Sequence, residues 1–202
     1  MKIFCIGRNY ADHAAELNNP IPKKPMIFMK PATALLLENK PFYHPEFSQN
    51  IHYELEVVLK IKKNGKHIQP QFASEYFDQI GLGIDFTARD LQDECKQKGH
   101  PWEIAKGFDH SAALSSFFPL SGYNRDNIKF SLIVNGHERQ MGETKDLIFS
   151  FEDLICYISS FFTLQQGDII YTGTPAGVGQ VHIGDKLEGF LEGKKILSCD
   201  IR

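Results

Sequence analysis

Glu54 and Glu56 stand two apart in His52-Tyr53-Glu54-Leu55-Glu56, which runs into the apolar Val57-Val58-Leu59-Lys60-Ile61. A β-branched run of this kind forms a strand. Residues two apart in a strand share a face, spaced about 7 Å along the chain. Tyr53, Leu55 and Val57 then take the opposite face. Two carboxylates side by side on a core-bound strand repel each other and are costly to desolvate, and a cation between them removes both costs. Asp85 ends a second apolar run, Ile80-Gly81-Leu82-Gly83-Ile84, just before Thr87-Ala88-Arg89-Asp90 opens a helix. It therefore sits at a strand end facing a helix N-terminus, where an anion is stabilised. Glu54, Glu56 and Asp85 supply hard oxygen donors only, which suits Mg2+ or Mn2+ better than zinc. An exposed acidic strand face has the same spacing, and is common.

Other residues supply acid–base and anion-binding chemistry. His13 and Glu16 are three apart in a helical stretch and share a face. A carboxylate so placed orients an imidazole as a general base, although an ordinary surface pair has the same spacing. Lys106 lies among apolar and aromatic residues in Trp102-Glu103-Ile104-Ala105-Lys106. Its amine suits contact with an oxyanion, or it snorkels from a loop. Arg89 and Gln92 share one helical face, and Lys30 ends the apolar run Met26-Ile27-Phe28-Met29. Gly173-Thr174-Pro175-Ala176-Gly177-Val178-Gly179 lacks the Lys-Ser/Thr of a phosphate-binding loop. Its backbone N–H groups and the Thr174 hydroxyl nevertheless fit a carboxylate. Together these groups suit a small anionic substrate, most naturally a 2-oxo acid chelating a metal through its keto oxygen and carboxylate.

The elements that must position these groups are mostly strands. The pattern predicts strands at 2–6, 26–29, 52–62, 80–86 and 128–134, with short strands over 181–201. Helices are expected at 10–17, N-capped by Asn9 with Asp12, at 72–79, at 87–97 with a Thr87/Asp90 capping box, and at 151–162 capped by Ser150 with Asp153. Phe151, Leu154, Ile155, Ile158, Phe161 and Phe162 follow helical periodicity and read as core. Asn64-Gly65 and Asn135-Gly136 are hairpin signals; the first gives the 52–62 strand a partner near 66–70. Asn18-Asn19-Pro20 ends the first helix, and the proline-rich 20–50 stretch reads as a cover over the site. The sum is a β-rich sheet or roll with a few short helices.

The chain has 202 residues and a formal net charge of −3 with both signs interspersed. That length suits one domain with a sizeable core. No basic stripe points to nucleic acid. No run reaches the roughly 18 apolar residues of a membrane span, and no signal-peptide pattern opens the sequence. Cys5, Cys95, Cys156 and Cys199 show no CxxC spacing, so reduced thiols in a cytoplasmic protein are expected. Gly81-x-Gly83 lacks the third glycine of a dinucleotide fingerprint.

At the level of whole motifs, the chain resembles the fumarylacetoacetate hydrolase family, within it the short acylpyruvate hydrolase and oxaloacetate decarboxylase type. The matching segments are Gly7-Arg8-Asn9-Tyr10-x-x-His13-x-x-Glu16, Phe28-Met29-Lys30-Pro31, His52 to Glu56, Asp85 to Gln92, Trp102-x-x-Ala105-Lys106, Asn135-Gly136 and Gly167 to Gly179. The resemblance implies a β-rich α+β fold, a mixed β-roll of the family's C-terminal-domain type spanning 1–202, with an N-terminal lid helix within 1–20. It implies a homodimer, one Mg2+ (alternatively Mn2+) per subunit on Glu54, Glu56 and Asp85, and none of the additional N-terminal region of longer members. It assigns His13 and Glu16 as a water-activating dyad, Lys106 to the reacting end, and Arg8, Lys30, Arg89, Gln92 and Thr174 to the substrate. The expected activity is Mg2+-dependent C–C hydrolysis of a 2,4-dioxo acid of acylpyruvate or fumarylpyruvate type. The alternatives are oxaloacetate decarboxylation, isomerisation or decarboxylation of an unsaturated dicarboxylate, and sugar-acid dehydration. Phe28, Phe86 or Trp102 would line the acyl end.

Overall fold

A computed structural model describes residues 1–16 and 20–202. Numbered along the chain, its strands are β1 Ile3–Gly7, β2 Met26–Lys30, β3 Leu35–Leu36, β4 Ile51–Tyr53, β5 Leu55–Ile61, β6 Phe77–Asp85, β7 Thr87–Ala88 and β8 Ala112–Leu114. They continue with β9 Phe118–Pro119, β10 Lys129–Val134, β11 His137–Glu143, β12 Ile169–Tyr171, β13 Gly179–Gln180, β14 Lys186–Leu191 and β15 Lys194–Asp200. The helices are α1 Ala11–Glu16, α2 Pro70–Ala73, α3 Arg89–Lys98, α4 Glu103–Lys106 and α5 Phe151–Phe161.

Among the described residues the largest sheet is mixed, ordered β2-β1-β12-β5-β6-β8-β3 with β9 on β6. A second sheet runs β11-β10-β14-β15, and a ribbon runs β13-β4-β7. This is the curled β-rich α+β architecture of the expected roll, with strands dominating and short helices at its margins. Tyr53, Leu55, Val57 and Leu59 point into the main core, while Val58 joins a second cluster with Ile3, Cys5, Ile169 and Tyr171. The alternation expected of a strand buried on both faces is therefore met.

The expected 52–62 strand is broken at Glu54, where the chain passes from the ribbon into the main sheet. There the Leu55 N–H leaves the ladder and donates to Gln140 Oε1 at 2.9 Å. The Asn64-Gly65 hairpin does not form. Gly65 bridges Leu164 instead, and β5 pairs β6 and β12. The following residues lack strand alternation and enter α2 at Pro70, whose missing N–H is tolerated at a helix start. The helix expected at 72–79 is shortened to α2 and a 3-10 turn at Ser74–Tyr76, because β6 begins at Phe77.

Two expected caps are also replaced. Asn9 is fully buried and pins loops instead: its amide donates to the Phe149 and Thr172 carbonyls and its oxygen accepts from the Phe149 N–H. Thr87 belongs to β7, α3 starts after Ala88 without a side-chain cap, and the Asp90 carboxylate is held by Ser48 and Gln49. The Ser150/Asp153 capping box does form at α5. Phe161, expected in the core, is 58% exposed; it lies at the helix end and packs edge-on against Tyr157. The four cysteines are free. Among the described residues no helix is long and apolar enough to cross a membrane. The first helix's expected end at Leu17, Asn18 and Asn19 lies outside the described residues.

The glycines of Gly81-Leu82-Gly83 are explained by close packing. A Cβ on Gly83 would lie 2.3 Å from the Tyr171 ring, and one on Gly81 would lie 2.9 Å from the Ser115 hydroxyl oxygen. Tyr171 can cross the sheet only because Gly83 has no side chain, and its hydroxyl donates to the Ala113 carbonyl at 2.9 Å.

Candidate metal centre and active site

The ends of β5 and β6 bring three carboxylates together. Glu56 faces Gly83 across the antiparallel ladder, and the Asp85 N–H donates to the Glu54 carbonyl at 2.8 Å. One oxygen from each of Glu54, Glu56 and Asp85 lies within 4.8 Å of the others, and all three residues are buried. Their charges are met unequally. Glu54 accepts from Arg89 Nη2 at 2.7 Å and from Lys106 Nζ at 2.8 Å. Asp85 Oδ2 accepts from Lys106 at 2.7 Å, while Oδ1 lies 2.8 Å from the Lys30 ammonium without hydrogen-bond alignment. Glu56 accepts the Gly173 N–H at 2.6 Å and, among the described residues, has no cation in contact.

Electrostatics follow this inequality. Burial alone would raise the Glu54 pKa, but Lys106, Arg89 and His13 together hold it well below the usual carboxylate range. Burial, then Asp85 and Glu54, push the Glu56 carboxyl well up, and the Gly173 N–H offsets only part of this. Burial would lower the Lys106 pKa, yet Asp85 and Glu54 outweigh it and raise it. A divalent cation between the three oxygens would give Glu56 the positive neighbour it lacks. The donor set, all carboxylate oxygen, suits a hard ion.

The acids open onto a narrow cavity of about 30 Å3, also lined by His13, Arg8, Arg89, Gln92, Lys96, Lys106, Met26, Phe28, Trp102 and Thr174. His13 is buried and its Nδ1 lies 3.1 Å from Glu16 Oε2. With Nδ1 so engaged, Nε2 is the nitrogen left to take a proton. Arg89 reaches the cavity from α3 but is committed to Glu54 and, at 2.8 Å, to Gln92 Oε1. Lys106 comes from α4 and bridges two of the acids.

Three expected roles change in the fold. Lys30 does not line the cavity: it sits behind Asp85, donating to carbonyls of Phe86, Lys106 and Ser111 and to the Ser111 hydroxyl. Its ammonium lies against Asp85 on the side away from the cavity lining. Phe86 is turned into the core, stacked on Phe42 at 4.0 Å, whereas Phe28 and Trp102 do line the cavity. The Gly173–Gly179 loop spends two of its N–H groups on protein carboxylates, Gly173 on Glu56 and Gly177 on Glu16 at 3.0 Å. The Thr174 hydroxyl borders the cavity but donates its one proton to the Leu55 carbonyl and accepts from Gln140, so no donor is left for a carboxylate.

Two residues escaped the sequence reading. Gln140, on β11, ties Leu55 to Thr174 and Pro175, and nothing local marks a polar strand residue for that task. Lys96 lies four residues beyond Gln92 and seven beyond Arg89, so continuing the same helical face would have found it.

The loop supplies a direct test. Gly177 has φ 95°, and a Cβ there would lie 2.0 Å from the Arg139 carbonyl oxygen. Gly177→Ala is expected to destabilise the fold by about 2 kcal/mol and to release Glu16. Thermal unfolding would check the first effect and turnover the second. An unchanged midpoint with full activity would show that the loop does not hold the dyad.

Known proteins share both the sequence pattern and this fold. A family model described as "Fumarylacetoacetate (FAA) hydrolase C-terminal" matches residues 2–202. The mitochondrial oxaloacetate tautomerase FAHD1 of Bos taurus is 43% identical over 192 residues, covering 95% of this chain and 87% of that protein. A fumarylpyruvate hydrolase from Pseudomonas aeruginosa, crystallised with Mn2+ and pyruvate, superposes with TM-score 0.94 at 38% identity, covering 100% of this chain and 89% of that one. A 2-hydroxyhepta-2,4-diene-1,7-dioate isomerase from Mycobacterium marinum superposes with TM-score 0.86 at 30% identity, over 99% and 73% of the two chains.

Proposed function

The chain belongs to the fumarylacetoacetate hydrolase family, and from that premise we propose that it is a Mg2+- or Mn2+-dependent enzyme that hydrolyses a C–C bond in a 2,4-dioxo acid, giving pyruvate and a carboxylic acid. The observation that carries this reading is the convergence, on one cavity, of three buried acids and a buried imidazole oriented by its own carboxylate. A P. aeruginosa relative that holds Mn2+ and pyruvate supports it.

Glu54, Glu56 and Asp85 would hold the cation, which supplies Lewis-acid polarisation of the 2-oxo acid end when bound. The chain's own residues do the rest. His13 Nε2 takes a proton from water, and Glu16 stabilises the resulting imidazolium. Hydroxide adds to the distal carbonyl carbon. The C–C bond on its 2-oxo side then breaks, and that electron pair passes into the 2-oxo fragment. Lys106 places a positive charge beside the fragment, and the proton from water returns to its terminal carbon. Phe28 and Trp102 form an apolar wall for the acyl part. The cavity is narrow in this conformation, about 30 Å3, and a substrate enters most simply if one wall moves. The short α1, latched at its end by the Glu16–Gly177 contact, is the element we assign to that motion.

A second reading has an observation of its own. Relatives 43% identical over most of the chain are oxaloacetate tautomerases, and a base that activates water can equally move the C3 proton of a 2-oxo acid. Acylpyruvates, fumarylpyruvate and oxaloacetate, each with Mg2+ and Mn2+, separate the readings. The hydrolase reading expects pyruvate release from a 2,4-dioxo acid with kcat/KM of at least about 10⁴ M⁻¹s⁻¹. Fast enol–keto interconversion of oxaloacetate with no cleavage of any dioxo acid would replace it by the tautomerase reading.

A further inference from the structure

The inner cations of the cavity are already matched by protein groups. Arg89 serves Glu54 and Gln92, Lys106 bridges Glu54 and Asp85, and Lys30 is enclosed behind Asp85. Arg8 and Lys96 line the same cavity and, among the described residues, neither forms an ion pair with a buried acid. Among the described residues Arg8 makes no side-chain hydrogen bond or ion pair. Its backbone is held at φ 58°, uncommon for a residue other than glycine, beside the tightly bonded Asn9. Among the described residues Lys96 pairs with Asp93 alone, at 3.4 Å, one turn back on α3. Its ammonium lies 6.0 Å from the Trp102 ring centroid, and Trp102 packs 6.1 Å from Phe28, so its stem follows the aromatic wall. About a third of the Lys96 side chain is exposed (31%), which puts it toward the solvent side of the cavity while its stem is covered. Burial, opposed by Asp93 and reinforced by Arg89 and Arg8, lowers the Lys96 pKa from its ordinary value. Like charges that feel one another in this way gain from an anion placed between them.

We propose that Lys96 and Arg8 form an outer cationic pair that binds a second carboxylate, at the far end of the substrate, and so selects 2-oxo dicarboxylates over 2-oxo acids with an uncharged tail. This rests on the functional reading above, which places the 2-oxo acid end at the three acids; it adds the identity of the other end. Lys96 acts on binding and specificity and touches none of the reacting atoms.

The test uses the full chain loaded with Mn2+ and reads binding, so it does not depend on turnover. Pyruvate and 2-oxoglutarate, which differ by a distal carboxylate and its carbons, are titrated calorimetrically into the wild type, Lys96→Gln and Lys96→Arg. The expected result is a wild-type preference for 2-oxoglutarate of at least about tenfold, as one charge-assisted contact gives. Lys96→Gln should abolish most of that ratio and Lys96→Arg should retain it. Raising the salt from low to molar concentration should narrow it. Equal affinity for the two ligands in the wild type, or a ratio unchanged in Lys96→Gln, would overturn the inference while leaving pyruvate binding and the functional reading intact. A wild type that binds neither 2-oxo acid would overturn both.

Discussion

Glu56→Gln is expected to lower turnover by about a thousandfold or more and to remove the thermal stabilisation given by Mg2+ or Mn2+. The substitution keeps the shape of the side chain and removes its charge. Several kcal/mol of Lewis-acid stabilisation are at stake, and each 1.36 kcal/mol is tenfold in rate. The metal-free protein should respond with the opposite sign. Glu56 is buried, faces Asp85 and Glu54, and has only a backbone N–H as partner. A neutral amide there relieves repulsion, so the variant should unfold at the same temperature as the metal-free wild type or higher. For the wild type, metal at a hundred times its Kd should add about 2.7 kcal/mol. Paired melting curves with chelator and with metal, alongside turnover, measure all three effects. Full activity of the variant in metal-depleted buffer would sink the metal assignment.

The second large effect is at His13. His13→Ala should reduce kcat for 2,4-dioxo acid hydrolysis by about a thousandfold, the usual contribution of a positioned general base. Oxaloacetate decarboxylation needs no attacking water and should fall much less. Glu16→Gln should cost less than His13→Ala, since the imidazole remains and loses only its orienting charge. The fold should survive both changes, because Tyr10 and Ala14 keep α1 packed while Asn9 anchors the preceding turn. Equal losses on hydrolysis and decarboxylation would show that the dyad does not act through water. The Gly177→Ala, substrate-panel and Lys96 experiments probe the same assembly from its loop, its chemistry and its outer end.

Much of the molecule is legible from local pattern. The Val57 to Ile61 run names its strand and its buried face, and the Ser150/Asp153 box sets the start of α5 to the residue. The His13–Glu16 spacing places the imidazole and carboxylate together as read. Local rules failed where a side chain was claimed by a distant partner. Asn9 bonds across 140 and 163 residues instead of capping α1, and Asp90 turns to Ser48 instead of boxing with Thr87. Asn64-Gly65 found no strand on its far side, so its turn closes against Leu164.

By itself the sequence determined what chemistry was on offer: three carboxylates as hard oxygen ligands, an imidazole with its carboxylate, and Arg89 with Gln92 on one helical face. Backbone geometry fixes these, since period two in strands and i, i+3 in helices place side chains without reference to the rest of the chain. Only the tertiary structure decided which groups meet. It broke the strand at Glu54, set Asp85 beside it through the β5–β6 register, and drew Lys30 behind the acids. It also turned the Gly173 and Gly177 N–H groups onto Glu56 and Glu16. The physical reason is that register and loop closure are settled by packing between segments far apart in sequence, where no local spacing carries the information.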